Sequence, residues 1–369
     1  MTESKNWLVK FETPAFLGNS EQQGQWRTPP FKALLREWWR ISRLKALEYD
    51  FRRLRDEENK LFGTAADGPE KKSQKSNARL RLSCWDDGTC RDVKTRLNPY
   101  RVDSGGHPAN PGIYLGYGPV QQDVQRAAIE PEPGPSRVTL SVGIEGGGDA
   151  LDEAIRLAHW FGTMGSRARN GWGSVSFTPS PDNPLRVNWL GDFSKLTAAK
   201  LRDYLRPWRE CLNNDWPQAI GEDDEGQPLV WQTTPENTWI EWEAVIQELA
   251  KIRIAINKVI PPASDARTPK SRNLLSYPVT NLEVYDWEKH REHNETIPQV
   301  RIPSQLRFKV VRIGNQLVGQ IVHLPCRVPD HEINRIHAST AGIIAQEIDL
   351  WDKVHKKLND KTLNLVRLI

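Results

Sequence analysis

Cysteine and methionine are scarce in this sequence, and long apolar runs are missing. Its 369 residues include only 2 methionines and 4 cysteines (Cys84, Cys90, Cys211 and Cys326), which form no CxxC pair. Scattered cysteines of this kind argue against a disulfide framework or a structural zinc site and for reduced thiols. No segment reaches the run of about 20 apolar residues that a membrane helix needs. The first five residues carry no apolar signal core, so we expect a cytoplasmic protein without a membrane partner.

Signatures of catalysis are also missing. The chain contains no GxSxG, HExxH or cysteine–histidine signature. His290 and His293 form an H-x-x-H pair in a charged segment, yet a metal site needs a third ligand in a matching context. The acidic residues at 86–87 and 222–225 are typical of turns. The sequence therefore predicts no active site, no metal and no other cofactor.

Tryptophan is abundant instead, and the charge is only mildly basic. The chain has 15 tryptophans and a formal net charge of +4. Tryptophan is enriched at contact surfaces as well as in cores. A small positive charge identifies a nucleic-acid binder only when the basic residues cluster. The composition favours an interaction protein, and the chain is long enough for two domains.

The apolar pattern predicts an α+β fold. In the first half, alternating segments at 7–12, 78–85, 137–145 and 172–177 predict strands, whereas the steps of three, four and seven at 31–61 and 149–161 predict helices. The order strand, helix, strands, helix, strand is that of a ferredoxin-like domain. A proline-rich stretch at 178–184 sets the expected domains at 1–180 and 185–369. Between the strands, 97–112 is expected to be an exposed excursion and 113–117 a short strand.

The second half predicts a domain of similar design. Helical patterns cover 196–212, 239–259 and 330–358, and a hairpin at 305–313 and 316–324 turns at Gly314-Asn315. A last strand is expected at 362–369.

The first informative segment, residues 27–40, reads RTPPFKALLREWWR. Threonine and proline favour a helix start, and Lys32, Arg36 and Arg40 then lie four residues apart on one face. Their spacing of roughly 6 Å along the axis suits neighbouring phosphates. A solvated amphipathic helix would show the same pattern. We call these three cations the α1 stripe, after the first helix predicted in the chain, α1.

The second segment, residues 162–173, reads GTMGSRARNGWG. Its glycines let the backbone approach a ligand closely, and successive amides can form an anion-binding nest. Arg167 and Arg169 add forked donors suited to phosphate, and Trp172 is expected to stack on a base. A plain connection between a helix and a strand is the alternative. The pattern is not a Walker loop. We call this segment the arginine–glycine loop.

Together these segments resemble a known family. The run FETPAFLG at 11–18 followed by RTPPFKALLREWWR is similar to the N-terminal signature of the RAMP subunits of type III-B CRISPR (Cmr) effector complexes, with subunit one the most similar. The runs LFG at 61–63, YLGYG at 114–118, the arginine–glycine loop and RIPSQLRFK at 301–309 follow in the family's order. The combination is specific, whereas each run alone is not.

The resemblance implies two ferredoxin-like (RRM/RAMP-type) βαββαβ domains and a non-catalytic subunit in antiviral defence. Its implied partners are guide (crRNA) and target RNA near the 3′ end and the other Cmr subunits. Sequence selection would then be left to guide pairing. Carried over by position, the implied RNA-binding residues are Arg27, Lys32, Arg36, Arg40, Gly165, Arg167, Arg169, Asn170 and Gly171. Ala33 stands where the family often has glycine.

Two other functions stay open at this point. One is an endoribonuclease of the same superfamily, which would process guide RNA with a histidine or cleave target RNA in a metal-dependent reaction with Asp103. The other is a generic RNA-recognition module, although the chain lacks the usual RNP stretch.

Overall fold

The computed structural model describes residues 3–65, 73–97, 102–104, 107–120, 126–132, 134, 137–144, 148–186, 193–234, 239–260, 269–278, 284–290, 296–336 and 338–369. Helices alternate with largely antiparallel strands, which confirms the predicted α+β class. The chain divides into two compact units. The first contains Met1–Tyr204, Pro235–Ala250 and Phe308–Gln320, and the second contains Leu205–Thr234, Lys251–Arg307 and Ile321–Ile369.

The first half of the chain contains these strands: β1 (Glu3–Phe11), β2 (Ala78–Leu82), β3 (Val102–Ser104), β4 (His107–Ala109), β5 (Val138–Ile144) and β6 (Val175–Pro179). Its helices are α1 (Thr28–Arg43), α2 (Phe51–Phe62), α3 (Val93–Leu97), α4 (Pro111–Leu115) and α5 (Gly148–Phe161). The main sheet has the order β2-β5-β1-β6 with antiparallel neighbours. With α1 and α5 as the two connecting helices, this is the predicted ferredoxin-like topology.

Buried and partly exposed residues alternate strictly along β5, and the buried ones form the core on one side of the sheet. In β5, every second residue from Val138 to Ile144 is buried, and its partner β1 buries Trp7, Val9 and Phe11 on the same side. Helices α1 and α5 cover that side, as the edge-to-face pair of Phe31 in α1 with Phe177 in β6 shows. Each large apolar side chain buried here contributes about 1.5–3 kcal/mol.

The predicted helix at 31–61 is wrong in one respect, because it breaks after Arg43. Glu48 and Tyr49 have positive φ angles of 52° and 60°, and the chain reverses before α2 begins. The Asp50 side chain caps α2 by accepting hydrogen bonds from the amides of Arg52 and Arg53. Helix α2 therefore lies against α1 instead of extending it.

The expected strand at 113–117 is also wrong. Pro111 opens the short helix α4, and the Asn110 side chain caps it by accepting from the Ile113 amide at 3.2 Å. The excursion at 97–112 contains the small antiparallel hairpin of β3 and β4. Its first residue, Leu97, is fully buried.

The second half contains these strands: β7 (Leu205–Pro207), β8 (Ile220–Glu222), β9 (Val230–Thr233), β10 (Glu288–His290), β11 (Thr296–Pro298), β12 (Leu306–Ile313), β13 (Gln316–His323) and β14 (Leu365–Arg367). Its helices are α6 (Ala198–Leu201), α7 (Trp208–Cys211), α8 (Trp242–Lys258), α9 (Ser271–Leu275), α10 (Asp330–Arg335) and α11 (Thr340–Leu358). Short 3-10 turns lie at Lys45–Leu47, Pro184–Arg186, Phe193–Lys195, Arg202–Tyr204, Tyr285–Trp287 and Lys361–Leu363.

The second large sheet has the order β12-β13-β9-β14. Along the chain, β9, α8, β12, β13, α11 and β14 repeat the βαββαβ order of the first sheet. The hairpin turns at Gly314, whose φ of 59° suits glycine. The expected helix at 196–212 is instead divided among α6, β7 and α7, and the one at 330–358 restarts after a Ser339 cap. Among the residues described, no helix combines the length and the apolar character needed to span a bilayer.

Candidate nucleic-acid interface

Two members of the α1 stripe bind a carboxylate of the neighbouring helix. Arg40 donates from Nε and Nη2 to the two oxygens of Glu58 in α2, each at 2.6 Å. Arg36 forms an ion pair with the same carboxylate and donates from Nη2 to the carbonyl of Gly63 at 3.1 Å. Glu58 is 5% exposed, so this bidentate arrangement is a strong one. The stripe is thus partly neutralised within the protein, and the RNA-binding role of Arg36 and Arg40 stays a prediction.

Arg27 and Lys32 form no ion pair with an acid among the residues that the structure describes. Arg27 takes the N-cap position of α1 in extended conformation and caps no amide with its side chain. Lys32 is half-buried and has no hydrogen bond or ion pair with any residue that the structure describes. Burial lowers the pKa of Lys32, and the positive charge of Arg36 lowers it further. These residues are the better candidates of α1 for an anionic ligand.

The arginine–glycine loop is fixed by its backbone. Gly165 has a φ of 99°, and a Cβ there would lie 2.7 Å from the carbonyl oxygen of Phe16. The amide of Ser166 donates to that same oxygen at 3.0 Å. Gly171, with a φ of 91°, accepts hydrogen bonds at its carbonyl from Thr13 and Ser174, each at 2.8 Å. Both glycines are therefore required by the loop conformation itself, and their predicted role in a close approach to a ligand stays a prediction.

A buried lysine joins the two ends of this loop. Lys309 is 1% exposed, and its ammonium donates to the carbonyls of His159 at 2.6 Å, Gly162 at 2.8 Å and Val175 at 2.7 Å. The carbonyl of Ala158 lies at 3.2 Å. Burial lowers the pKa of Lys309, whereas these carbonyl dipoles stabilise its charged form. Because the loop begins after Gly162 and ends before Val175, Lys309 holds its entrance next to its exit.

The loop packs against residues 114–118, the YLGYG run. Arg167 donates from Nε to the Tyr117 carbonyl at 2.6 Å, and its guanidinium carbon lies 5.9 Å from the centroid of the Tyr117 ring. Asn170 donates from Nδ2 to the Leu115 carbonyl at 2.9 Å. Arg167 is exposed, and Tyr117 and Tyr114 are 55% and 47% exposed. The structure thus places a guanidinium beside the exposed Tyr117 ring, with the exposed Tyr114 three residues earlier in the same run, and we call these residues the Arg167–tyrosine surface.

Arg169 and Trp172 of the loop are less exposed than Arg167. Arg169 is half-buried, and its carbonyl accepts a hydrogen bond from the Phe308 amide at 3.0 Å. Trp172 is fully buried, with ring centroids 5.7 Å from Phe16 and 5.6 Å from Trp242. The expectation that Trp172 stacks on a base is therefore wrong. Sequence motifs alone place the YLGYG run only by its position in the chain, although two tyrosines among glycines are a signal for exposed rings.

The described residues of the nuclease hypothesis lie in two different strands. Asp103 lies in β3 opposite Pro108, and His290 is the last residue of β10, while His293 lies outside the described residues. Within the ranges that the structure describes, no three His, Cys, Asp or Glu residues are placed to hold a metal ion.

A histidine pair that the sequence did not single out lies in the second unit. His355 Nε2 is 3.0 Å from His323 Nδ1, and His323 Nε2 is 3.1 Å from the Gln305 side-chain oxygen. Burial lowers the pKa of His323 and lowers that of His355 to about 3, while it raises the pKa of Glu347, next to Gln305, to about 8. These groups are neutral and enclosed, so they stabilise the core of this unit rather than meet a ligand.

Comparisons with known proteins add evidence on the fold. No protein-family model and no curated protein matches the sequence. The structure is similar to the crystal structure of apo Cmr1 from Pyrococcus furiosus, with a TM-score of 0.51, 14% identity, and coverage of 89% of this chain and 90% of that one. One chain of the cryo-EM structure of type III-B Cmr-beta bound to cognate target RNA aligns with a TM-score of 0.45, 12% identity, and coverage of 93% and 100%. The second value is too low to support an argument. The resemblance predicted from the motifs is thus confirmed as a structural match at low sequence identity, and the chain has the fold of Cmr1.

Proposed function

We propose that this chain is a non-catalytic RNA-binding subunit of a type III-B CRISPR (Cmr) effector complex, equivalent in place to Cmr1. In this proposal it contacts guide (crRNA) and target RNA near the 3′ end, together with the other subunits, in the cytoplasm. The Cmr1-like fold supports the family assignment. The observation that carries RNA binding is the Arg167–tyrosine surface, because it presents charge and aromatic rings together on a fixed loop.

The chemistry of that surface suits single-stranded RNA. A guanidinium offers forked donors to phosphate oxygens, and an exposed tyrosine offers a face on which any base can stack. Neither contact reads the identity of a base. Such a surface therefore agrees with an assembly in which guide pairing selects the sequence.

Binding of labelled RNA to the full chain tests this proposal. We expect salt-sensitive binding to a uridine oligonucleotide, weakened about tenfold by Tyr117→Ala through the loss of stacking and to a similar extent by Arg167→Ala. The control is Arg55→Ala, which removes the same charge from an exposed position in α2. Absence of binding at low salt, or equal losses in all three variants, would contradict the proposal.

We further propose that the chain does not cleave RNA. Its support is that no three His, Cys, Asp or Glu residues among those described are placed to hold a metal ion. Labelled guide and target RNA should stay intact with and without magnesium or manganese. Cleavage that survives purification and disappears in Asp103→Ala, or in substitutions of His290 and His293, would instead establish the endoribonuclease alternative.

A further inference from the structure

The edge strand β2 carries a basic surface that lies apart from the arginine–glycine loop in sequence. Arg79 and Arg81 are exposed, whereas Leu80 between them is half-buried and Ala78 and Leu82 on either side are buried in the core. This alternation places both arginines on the side of the sheet opposite α1 and α5. The same side of the sheet continues onto the neighbouring strands. Arg81 lies opposite Ser141 of β5, and Ser141 lies opposite Asn6 of β1.

The neighbouring positions on this side of the sheet are uncharged or basic. On β5 they are Thr139, Ser141 and Gly143, and on β1 they are Asn6, Leu8 and Lys10. Farther from β2, Asp182 accepts from Asn6 at 2.7 Å and the buried Glu12 lies 3.9 Å from Lys10, while the exposed Asp86 and Asp87 follow Trp85 in the chain. Beside β2, this side of the sheet therefore carries no acid at the strand positions described. It also lacks aromatic rings at the strand positions of β1 and β5, so base stacking there is not the basis of recognition.

Trp85 lies three residues after the end of β2 and is 54% exposed. Its backbone is fixed, because its carbonyl accepts a hydrogen bond from Gln25 Nε2 at 3.3 Å and the next carbonyl, of Asp86, accepts from the Trp26 amide at 3.0 Å. Most tryptophans of this chain with described burial are enclosed in the two cores. An anchored backbone with a solvent-facing indole is typical of a contact residue.

Arginines on an edge strand have a second explanation, since charge there hinders unwanted pairing with another strand. That explanation accounts for Arg79 and Arg81 but not for Trp85, whose large apolar surface would favour association. A basic strand ending in an exposed indole matches a groove that follows a phosphate backbone and stacks one base. Cations next to an aromatic platform fit a polyanion with flat bases better than an apolar partner surface.

We propose that Arg79, Arg81 and Trp85 form a second contact for single-stranded RNA, with the arginines on phosphates and Trp85 stacked on a base. This inference rests on the proposed RNA-binding function and adds a surface to it. It places RNA along the outer edge of the first sheet, in addition to the Arg167–tyrosine surface.

The experiment uses the full chain and a 4-thiouridine-containing uridine oligonucleotide of about 40 nucleotides, several times the usual site size. Photocrosslinking followed by peptide mass spectrometry should identify peptides from 78–85 as well as from 114–118 or 162–173. Trp85→Ala should weaken binding about tenfold, and Arg81→Ala should lower the log–log salt slope by about 0.7. Arg55→Ala again controls for the loss of one positive charge.

The outcomes separate the two proposals. Wild-type binding with crosslinks at 114–118 or 162–173 but none at 78–85, and unchanged affinity in Trp85→Ala, would overturn this inference and leave the proposed function intact. No RNA binding by the wild-type chain would overturn both. Thermal melting of each variant should match wild type because the three side chains are exposed, and a lost crosslink at an unchanged melting temperature supports the contact.

Discussion

The α1 stripe and the arginine–glycine loop carry similar side chains but use them differently. In the stripe, Arg36 and Arg40 both form ion pairs with Glu58, which neutralises part of their charge within the protein. In the loop, Arg167 donates from Nε to the Tyr117 carbonyl, and its guanidinium lies beside the exposed Tyr117 ring. Four-residue spacing on a helix thus shows that side chains share one face of the helix, but it does not show whether that face contacts the protein or a ligand.

The difference originates in the backbone around each segment. Helix α2 returns along α1 after the reversal at 44–50, and this brings Glu58 to the stripe. In the loop, the glycines and the Lys309 ammonium fix the backbone conformation from which the exposed Arg167 side chain projects. The loop conformation therefore depends on interactions inside the protein, whereas the Arg167 side chain lies at the surface.

The largest expected effect comes from the lysine under the loop. Lys309→Met keeps most of the side-chain volume but leaves several buried carbonyls without their donor, so the free energy of unfolding should fall by about 3 kcal/mol. Chemical denaturation of the full chain measures it. Lys60→Met, at an exposed position of α2, is the matched control and should change stability by less than about 0.5 kcal/mol. A loss below about 1 kcal/mol for Lys309→Met would show that the loop does not need this ammonium.

Arg40 of the α1 stripe and Arg167 of the arginine–glycine loop should differ in their contribution to the free energy of unfolding, by a smaller amount. Arg40→Ala removes two hydrogen bonds from the buried Glu58 carboxylate. Since Arg40 is about a third exposed and Arg36 remains, we expect a loss of about 1–2 kcal/mol. Arg167→Ala should cost less than about 0.5 kcal/mol. Equal melting temperatures for the two variants would remove the contrast between the segments.

RNA binding should show the opposite ranking. Arg167→Ala should lower the log–log salt slope by about 0.7, the value for one phosphate contact on a single strand. Arg36→Ala should change the slope by less than that, because Glu58 already neutralises part of this charge. Titrations of the uridine oligonucleotide at several salt concentrations give both slopes. If Arg36→Ala had the larger effect, the stripe would be the main RNA contact.

The sequence predicted local structure well where alternation or caps decide it. Strand β5, helix α5 and the hairpin at Gly314 have the expected type and nearly the expected bounds. The break between α1 and α2 was missed because apolar spacing continues across it and two non-glycine residues, Glu48 and Tyr49, take positive φ angles. Only Asp50 before Phe51 signalled a new helix start.

The candidate site could be predicted less completely, because its chemistry depends on tertiary contacts. The motif order located the loop and the YLGYG run, but only the structure joins Arg167 to Tyr117 and encloses Trp172. The pairing of Arg36 and Arg40 with Glu58 likewise links residues 18 positions or more apart. Neither periodicity nor composition carries such information.

The smallest expected effect decides whether the α1 stripe takes part in binding at all. Glu58→Gln keeps the volume and an acceptor oxygen but removes the charge that competes with RNA for Arg36 and Arg40. If those guanidiniums contact phosphate, RNA affinity should rise about threefold, roughly 0.7 kcal/mol, the scale of one partly exposed ion pair. Glu57→Gln is the matched control, because it removes the same charge one position earlier in α2, where Glu57 pairs with Arg43 at 3.1 Å and Arg53 at 3.4 Å. A rise in Glu58→Gln alone would assign the stripe to the interface, whereas equal rises in both variants would reflect only the general loss of negative charge, and no rise in either would leave the stripe with a structural role.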